Sequence, residues 1–255
     1  MELFISIWIF CLGAILGSFL GCMGYRIPNK IKTTFPSSFC ASCNKSLKWY
    51  MNIPIISYLV LKGKCAFCKK KIGMIYFLCE VVCALLFLVS YLLFGFSERF
   101  FLIIIITCAL IVTIVSDFLY YYISDRVLII SHICVLVVLF AYRGYEEVFM
   151  NIFASILIFL VMIGIKVIGN HLFKKESLGD GDIKLMSVIG LSLGFLNSFV
   201  SLFISSCIAL IYSFIILRKN KDGLIPFGPF LLIGALIVLF GLDYIEPFLM
   251  SFLSL

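Results

Sequence analysis

Long apolar runs broken by short polar connections dominate the chain. They cover residues 3–25, 74–94, 100–116, 127–142, 148–167, 198–217 and 224–242, with a shorter run at 183–196 interrupted by Lys184. Their lengths lie near the roughly 20 residues that a helix needs to cross a bilayer. Lipid offers no partner to an unpaired backbone group, so helices are the predicted form, and the alternation of a membrane barrel is not visible. Residues 194–197, opening on Gly194, read as a tight turn between two crossings. The prediction is an all-α integral membrane protein with about eight transmembrane helices. A small cytoplasmic domain lies between the first and second helices.

The first run carries Glu2, no basic residue before Arg26 and no small-residue cleavage site. It therefore reads as a retained first helix rather than a removed signal. Gly13, Gly17 and Gly21 recur every fourth residue along it, a small-residue face suited to close helix packing.

Composition strengthens this picture. Of 255 residues, 64% are hydrophobic, 16% aromatic and only 13% charged. A soluble domain has about 45–50% apolar and about 25% charged residues. A single soluble core could not hide this excess, and disorder is excluded by the same abundance of aliphatic and aromatic side chains.

The net charge of +7 matters less than where it falls. Ten Lys and Arg lie between Arg26 and Lys71, a stretch without Asp or Glu. If the N-terminus is outside and residues 26–73 inside, Arg126, Lys166, Lys174, Lys175, Lys184, Arg218, Lys219 and Lys221 also fall inside. That puts 18 of the 20 cations on the inner side, with Arg99 and Arg143 outside. This matches the cation excess of cytoplasmic loops, so the charge orients the chain in a lipid bilayer and no nucleic-acid partner is expected.

The basic stretch contains two C-x-x-C pairs, Cys40-Ala41-Ser42-Cys43 and Cys65-Ala66-Phe67-Cys68, with 21 residues between Cys43 and Cys65. Two such knuckles can bring four thiolates to a tetrahedral zinc ion. A cytoplasmic setting disfavours disulfides, and four thiolates close the coordination shell, so a structural Zn2+ is expected. The other seven cysteines lie in apolar runs and read as small hydrophobes. His132 and His171 lack partners at ligand spacing and read as structural.

Five acids, Asp117, Asp125, Glu176, Asp180 and Asp182, fall near the predicted cytoplasmic ends of crossings. Asp117 closes the third crossing and Asp182 opens the sixth, so the topology puts both in one leaflet although 64 residues separate them. Carboxylates near hydrocarbon are costly and are functional candidates for that reason. Two brought together can share one proton, one activating water while the other protonates a carbonyl. The alternative is that they are ordinary interfacial charges, with Asp180 and Asp182 solvated at a helix start. Spacing alone does not choose between the two. No Walker or dinucleotide glycine loop appears, and Gly179-Asp180-Gly181-Asp182 is too short and acidic to cradle phosphate.

Several fragments, in order, resemble the prepilin peptidase (type IV leader peptidase) family. They are Leu16-Gly17-Ser18-Phe19, Tyr25-Arg26-Ile27-Pro28, the two cysteine pairs enclosing Asn52-Ile53-Pro54-Ile55-Ile56-Ser57-Tyr58-Leu59 and Gly63-Lys64-Cys65, and the run Gly179-Asp180-Gly181-Asp182-Ile183-Lys184-Leu185. Ile225-Pro226-Phe227-Gly228-Pro229-Phe230 follows near the end. Each fragment is weak alone, but the ordered set is specific. The resemblance implies a G-x-G-D intramembrane aspartic endopeptidase. Such an enzyme removes the basic leader of type IV prepilins or pseudopilins after a glycine, at the cytoplasmic face of the bacterial inner membrane.

By the same resemblance Asp117 and Asp182 are the catalytic pair. Gly179, Gly181 and Lys184 support them, and Asp180 fills a variable position. The stretch opened by Asp117 ends in Ser124-Asp125 where the family has Pro-Asp, and Tyr76-Phe77 replaces a usual Tyr-Pro while Glu80 is retained. Members with the cysteine loop also methylate the new N-terminus with S-adenosylmethionine. The implied domains are the first helix at 1–25, a zinc-binding methyltransferase part at 26–73 and a membrane peptidase at 74–255. A proton-coupled transporter would instead carry acids near the midplane and internal repeats, and no repeat is evident. A membrane-tethered adaptor would account for the cysteines but not for the G-x-G-D run.

Overall fold

The structure, a computed structural model, describes residues 1–33, 37–40, 42–217 and 225–253. Arg218, Lys219, Lys221 and Leu224 lie outside the described residues. The described residues form nine α-helices: α1 (Glu2–Arg26), α2 (Ile56–Val60), α3 (Met74–Phe94), α4 (Glu98–Tyr120), α5 (Asp125–Tyr142), α6 (Tyr145–Phe173), α7 (Asp180–Leu193), α8 (Phe195–Leu217) and α9 (Gly228–Leu253). Among the described residues only two isolated β-bridges, both in the cysteine loop, interrupt this all-helical character.

Seven of these helices, all but α2 and α7, are long and apolar enough to cross a membrane. The eighth predicted run forms α7, whose 14 residues span about 21 Å at 1.5 Å per residue, less than the roughly 30 Å of a hydrocarbon core. Its side chains explain its place. Ile183, Leu185, Met186, Val188, Ile189 and Leu191 are buried around its whole circumference, and a helix apolar on every side belongs inside other helices. It packs against α5, α6, α8 and α9. Gly194, at φ +76, ends α7, and α8 begins at the next residue. The turn is thus tighter than the four residues predicted.

α4 is the other interior helix, contacting α1, α3, α5 and α9. It runs one turn beyond the predicted end at residue 116, capped by the left-handed Tyr121. Asp117 therefore lies within its last turn, with 5% of its surface exposed, instead of closing the helix.

The glycines of α1 act largely as predicted. A Cβ at Gly13 would lie 2.8 Å from the Ala84 Cα, and one at Gly17 would lie 2.8 Å from the Cys79 carbonyl, so both let α1 sit directly on α3. Gly21 is in ordinary contact, and the close approach continues at Gly24, where a Cβ would lie 2.6 Å from Val115 Cβ on α4. The surface turns at that point from one neighbour to the next.

The up-and-down course sorts the polar groups to two ends of the bundle. At one end Arg99 binds Asp243 through two hydrogen bonds of 2.7 and 2.9 Å, and Arg143 donates to Glu98 at 2.8 Å. At the other end lie the cysteine loop, the end of α4 and the starts of α5, α7 and α9.

Candidate functional site

The cysteine loop is built from two matching knuckles. Cys40 N–H donates to the Lys45 carbonyl at 3.0 Å and Asn44 N–H to the Cys40 carbonyl at 2.8 Å. Cys65 and Lys69 repeat the pattern with Lys70 and Cys65 carbonyls at 2.9 and 3.0 Å. Asn44 and Lys69 occupy equivalent positive-φ positions, and the bridges Phe39–Ser46 and Lys64–Lys71 close both turns. The four Sγ atoms of Cys40, Cys43, Cys65 and Cys68 lie within 4.8 Å of one another, and Cys40 and Cys68 are 3.9 Å apart. A tetrahedron with metal–sulfur bonds of about 2.3 Å has edges near 3.8 Å, so this four-cysteine cluster can hold a metal ion.

At the same end stand Asp117 on α4 and Asp182 on α7. Asp117 Oδ2 accepts the Gly228 N–H at 3.1 Å, which ties it to the start of α9. Asp182 lies in the first turn of α7, where the helix dipole favours an anion. Its carboxylate turns back against Gly179, and its buried Oδ1 has no hydrogen-bond partner. The two carboxylates are within electrostatic reach of each other.

The glycines around the pair are needed for space. A Cβ at Gly181 would lie 2.8 Å from Ile123 Cβ, and one at Gly228 would lie 2.8 Å from Ile123 Cδ1 and 3.1 Å from Asp117 Oδ2. Ile123, in the α4–α5 connection, thus packs against both.

The other acids at this end do different work. Asp180 is exposed and pairs with Lys166 at 2.6 Å, and this ammonium holds its carboxyl below the usual carboxylate range. Lys166 also meets Glu176 at 3.1 Å. Lys184 binds Asp125 at 2.6 Å, linking the starts of α5 and α7. His132 bridges the Leu128 carbonyl and the Ser187 hydroxyl at 2.9 and 3.0 Å, the structural role expected of it.

A cavity of about 630 Å³ lies between the cysteine loop, α1 and α3. Its walls include Ser18, Phe39, Tyr58, Tyr76, Phe77 and Glu80. Glu80 Oε2 accepts the Ile55 N–H at 2.7 Å, and Tyr58 stacks on Phe77 with ring centroids 4.7 Å apart. Neither this cavity nor the Gly228 N–H follows from residue pattern. The only advance signals were the retained Glu80 and the Pro226–Pro229 run at a helix start.

Residues 11–94 match the family described as bacterial peptidase A24 N-terminal domain, and residues 104–214 match the type IV leader peptidase family. The chain is 31% identical to a prepilin leader peptidase/N-methyltransferase of Bacillus subtilis, over 94% of this chain and 96% of the relative. It is 31% identical to one of Vibrio cholerae, over 89% and 93%. It is 28% identical to a type 4 prepilin-like proteins leader peptide-processing enzyme of Escherichia coli, over 89% and 91%. No solved structure matches. The transporter alternative finds no support, since the clustered acids lie at one end of the bundle.

Proposed function

We infer that this chain, which belongs to the type IV prepilin leader peptidase family, is a multi-pass bacterial inner-membrane enzyme that removes the basic leader of a type IV prepilin or pseudopilin after a glycine and methylates the new N-terminus. The observation that carries the peptidase half is that Asp117 of α4 and Asp182 of α7 stand at the same end of the bundle within electrostatic reach of each other, with Asp117 tied to the start of α9. Such a pair shares a proton because the second charge is disfavoured beside the first. The ionised member draws a proton from water as it attacks the scissile carbonyl. The protonated member donates to the carbonyl oxygen and then helps the amine depart. The Gly228 N–H fixes Asp117 Oδ2, and the unpartnered Asp182 Oδ1 is suited to water or substrate.

Orientation follows the cations. With the cysteine loop in the cytoplasm, the acid pair faces the cytoplasmic boundary. A pilin precursor, with its charged leader and apolar helix, places its scissile bond there. Zinc is the metal proposed for the four cysteines, since closed tetrahedral thiolate sites are its structural form. It would hold the two knuckles as one unit.

S-adenosylmethionine is proposed as methyl donor. The cavity under the cysteine loop fits a ligand of that size, and its aromatic faces suit an adenine ring and a sulfonium cation. Phe39, Tyr58, Tyr76 and Phe77 would hold it, and it supplies an electrophilic methyl group.

The test is leader removal from a pilin precursor by the purified protein in detergent, read by gel shift. Asp117→Asn or Asp182→Asn is expected to abolish cleavage, and full activity in either variant refutes the assignment. Mass spectrometry of the product reads the cut site and the added methyl group.

A further inference from the structure

The cavity beneath the cysteine loop holds one carboxylate among its lining side chains, and we propose that this residue, Glu80, is the base of the methyl-transfer step, taking the proton of the substrate's new α-amino group. This rests on the reading of the chain as an N-methyltransferase.

Glu80 is the sole Asp or Glu between Glu2 and Glu98. It stands on α3, a helix apolar enough to cross the membrane, where a carboxylate is costly to keep. Oε2 accepts the Ile55 N–H, and the Ser18 hydroxyl of α1 lies beside the carboxylate. An ionised carboxylate offers about four acceptor positions, so these two contacts leave room for a cation from the cavity. Ile55 itself sits at φ +63, an unfavourable conformation for a β-branched residue that the Glu80 contact helps to hold. The carboxylate is thereby fixed at the cavity wall.

The other titratable groups lining the cavity are Cys22, Tyr25 and Arg26 from α1, Tyr58 from α2, Tyr76 from α3, and Cys40, Cys65, Lys70 and Lys71 from the cysteine loop. None of these is a carboxylate. Arg26 donates to the Thr33 carbonyl at 3.0 Å, and Cys40 and Cys65 belong to the four-cysteine cluster, so Glu80 is the one carboxylate that a cation in the cavity can meet.

The cavity wall also touches α4, the helix that carries Asp117. Tyr25, on its wall, meets Tyr120 with ring centroids 6.3 Å apart. Tyr120 follows Asp117 by three residues on α4, about 4.5 Å along the helix. An amine released at Asp117 and Asp182 therefore emerges close to the Tyr25 side of the cavity.

The chemistry requires a proton acceptor there. A free α-amino group has a pKa of about 7.7–8.0, so near neutrality it is mostly ammonium and has no lone pair to give. In the step, the ammonium proton passes to the Glu80 carboxylate and on to solvent. The freed nitrogen pair forms the N–CH3 bond. The S–CH3 bond breaks with its electron pair remaining on sulfur, so the sulfonium becomes a neutral thioether.

Glu80→Gln keeps an oxygen to accept the Ile55 N–H and removes the charge. At pH 7 methyl transfer should fall by about 100-fold or more. The residual rate should climb about tenfold per pH unit until the amine itself titrates. Binding of S-adenosylhomocysteine, measured by calorimetry on the full chain in detergent, should change by less than about threefold, and the same samples are assayed for leader cleavage as a check on folding. A variant that methylates at the wild-type rate overturns the proposal. So does one that loses S-adenosylhomocysteine binding and cleavage together with methylation, because Glu80 would then be an anchor for the loop alone. A wild-type enzyme that cleaves but adds no methyl group refutes the methyl-transfer reading itself, and Glu80's role with it.

Discussion

Asp117 and Asp180 carry the same functional group and lie at the same end of the bundle, yet their surroundings separate them. Asp117 is enclosed in the last turn of an interior helix, whereas Asp180 is exposed and neutralised by Lys166. Asp180→Asn should therefore leave most leader cleavage intact in the gel-shift assay that Asp182→Asn abolishes. Gly228 contributes its backbone N–H and the absence of a side chain. Gly228→Ala puts a methyl group 2.8 Å from Ile123 Cδ1 and 3.1 Å from Asp117 Oδ2. Cleavage should drop at least about tenfold through loss of acid–base geometry, with the unfolding temperature little changed. Both residues were visible in the sequence as members of motifs. What each one touches was not, because Gly228 and Asp117 lie 111 positions apart.

Among the helices, α1 shows how far a pattern carries. Its glycine spacing predicted a close contact, and Gly13 and Gly17 make it on α3. Gly24 falls outside that spacing because it faces α4 instead. Gly24→Val should force α1 away from Val112 and Val115 and cost about 1–3 kcal/mol, as overpacked cores do, measurable as a lower midpoint in thermal unfolding in detergent. Leader cleavage should weaken with it, since α4 carries Asp117. The shortness of α7 was legible as a short run broken by Lys184. The packing of its apolar side chains against four other helices was not, since an apolar run reads alike whether it faces lipid or protein.

At the scale of the whole molecule, the two ends have different purposes. One is held by Arg–carboxylate pairs between helices, and the other carries the cysteine loop, the cavity and the aspartates. Purified protein should contain one zinc ion per chain by elemental analysis, and Cys40→Ser with Cys65→Ser should lose it. Stripping zinc with a chelator should disorder the knuckles, detectable as new protease sensitivity between residues 37 and 73. Methyl transfer should fall further than leader cleavage, because the loop forms a wall of the cavity and the aspartates stand on α4 and α7.

Hydrophobic runs fixed the helices, cysteine spacing the four-cysteine cluster and cation counts the side on which the chemistry is expected, because each is a local property of the chain. Tertiary structure alone decided that α7 is packed among other helices, that Gly228 binds Asp117, and that Glu80 lines a cavity whose Tyr25 wall meets Tyr120 of α4. Those facts depend on which helix faces cross in three dimensions, and that is settled by packing between segments far apart in the chain.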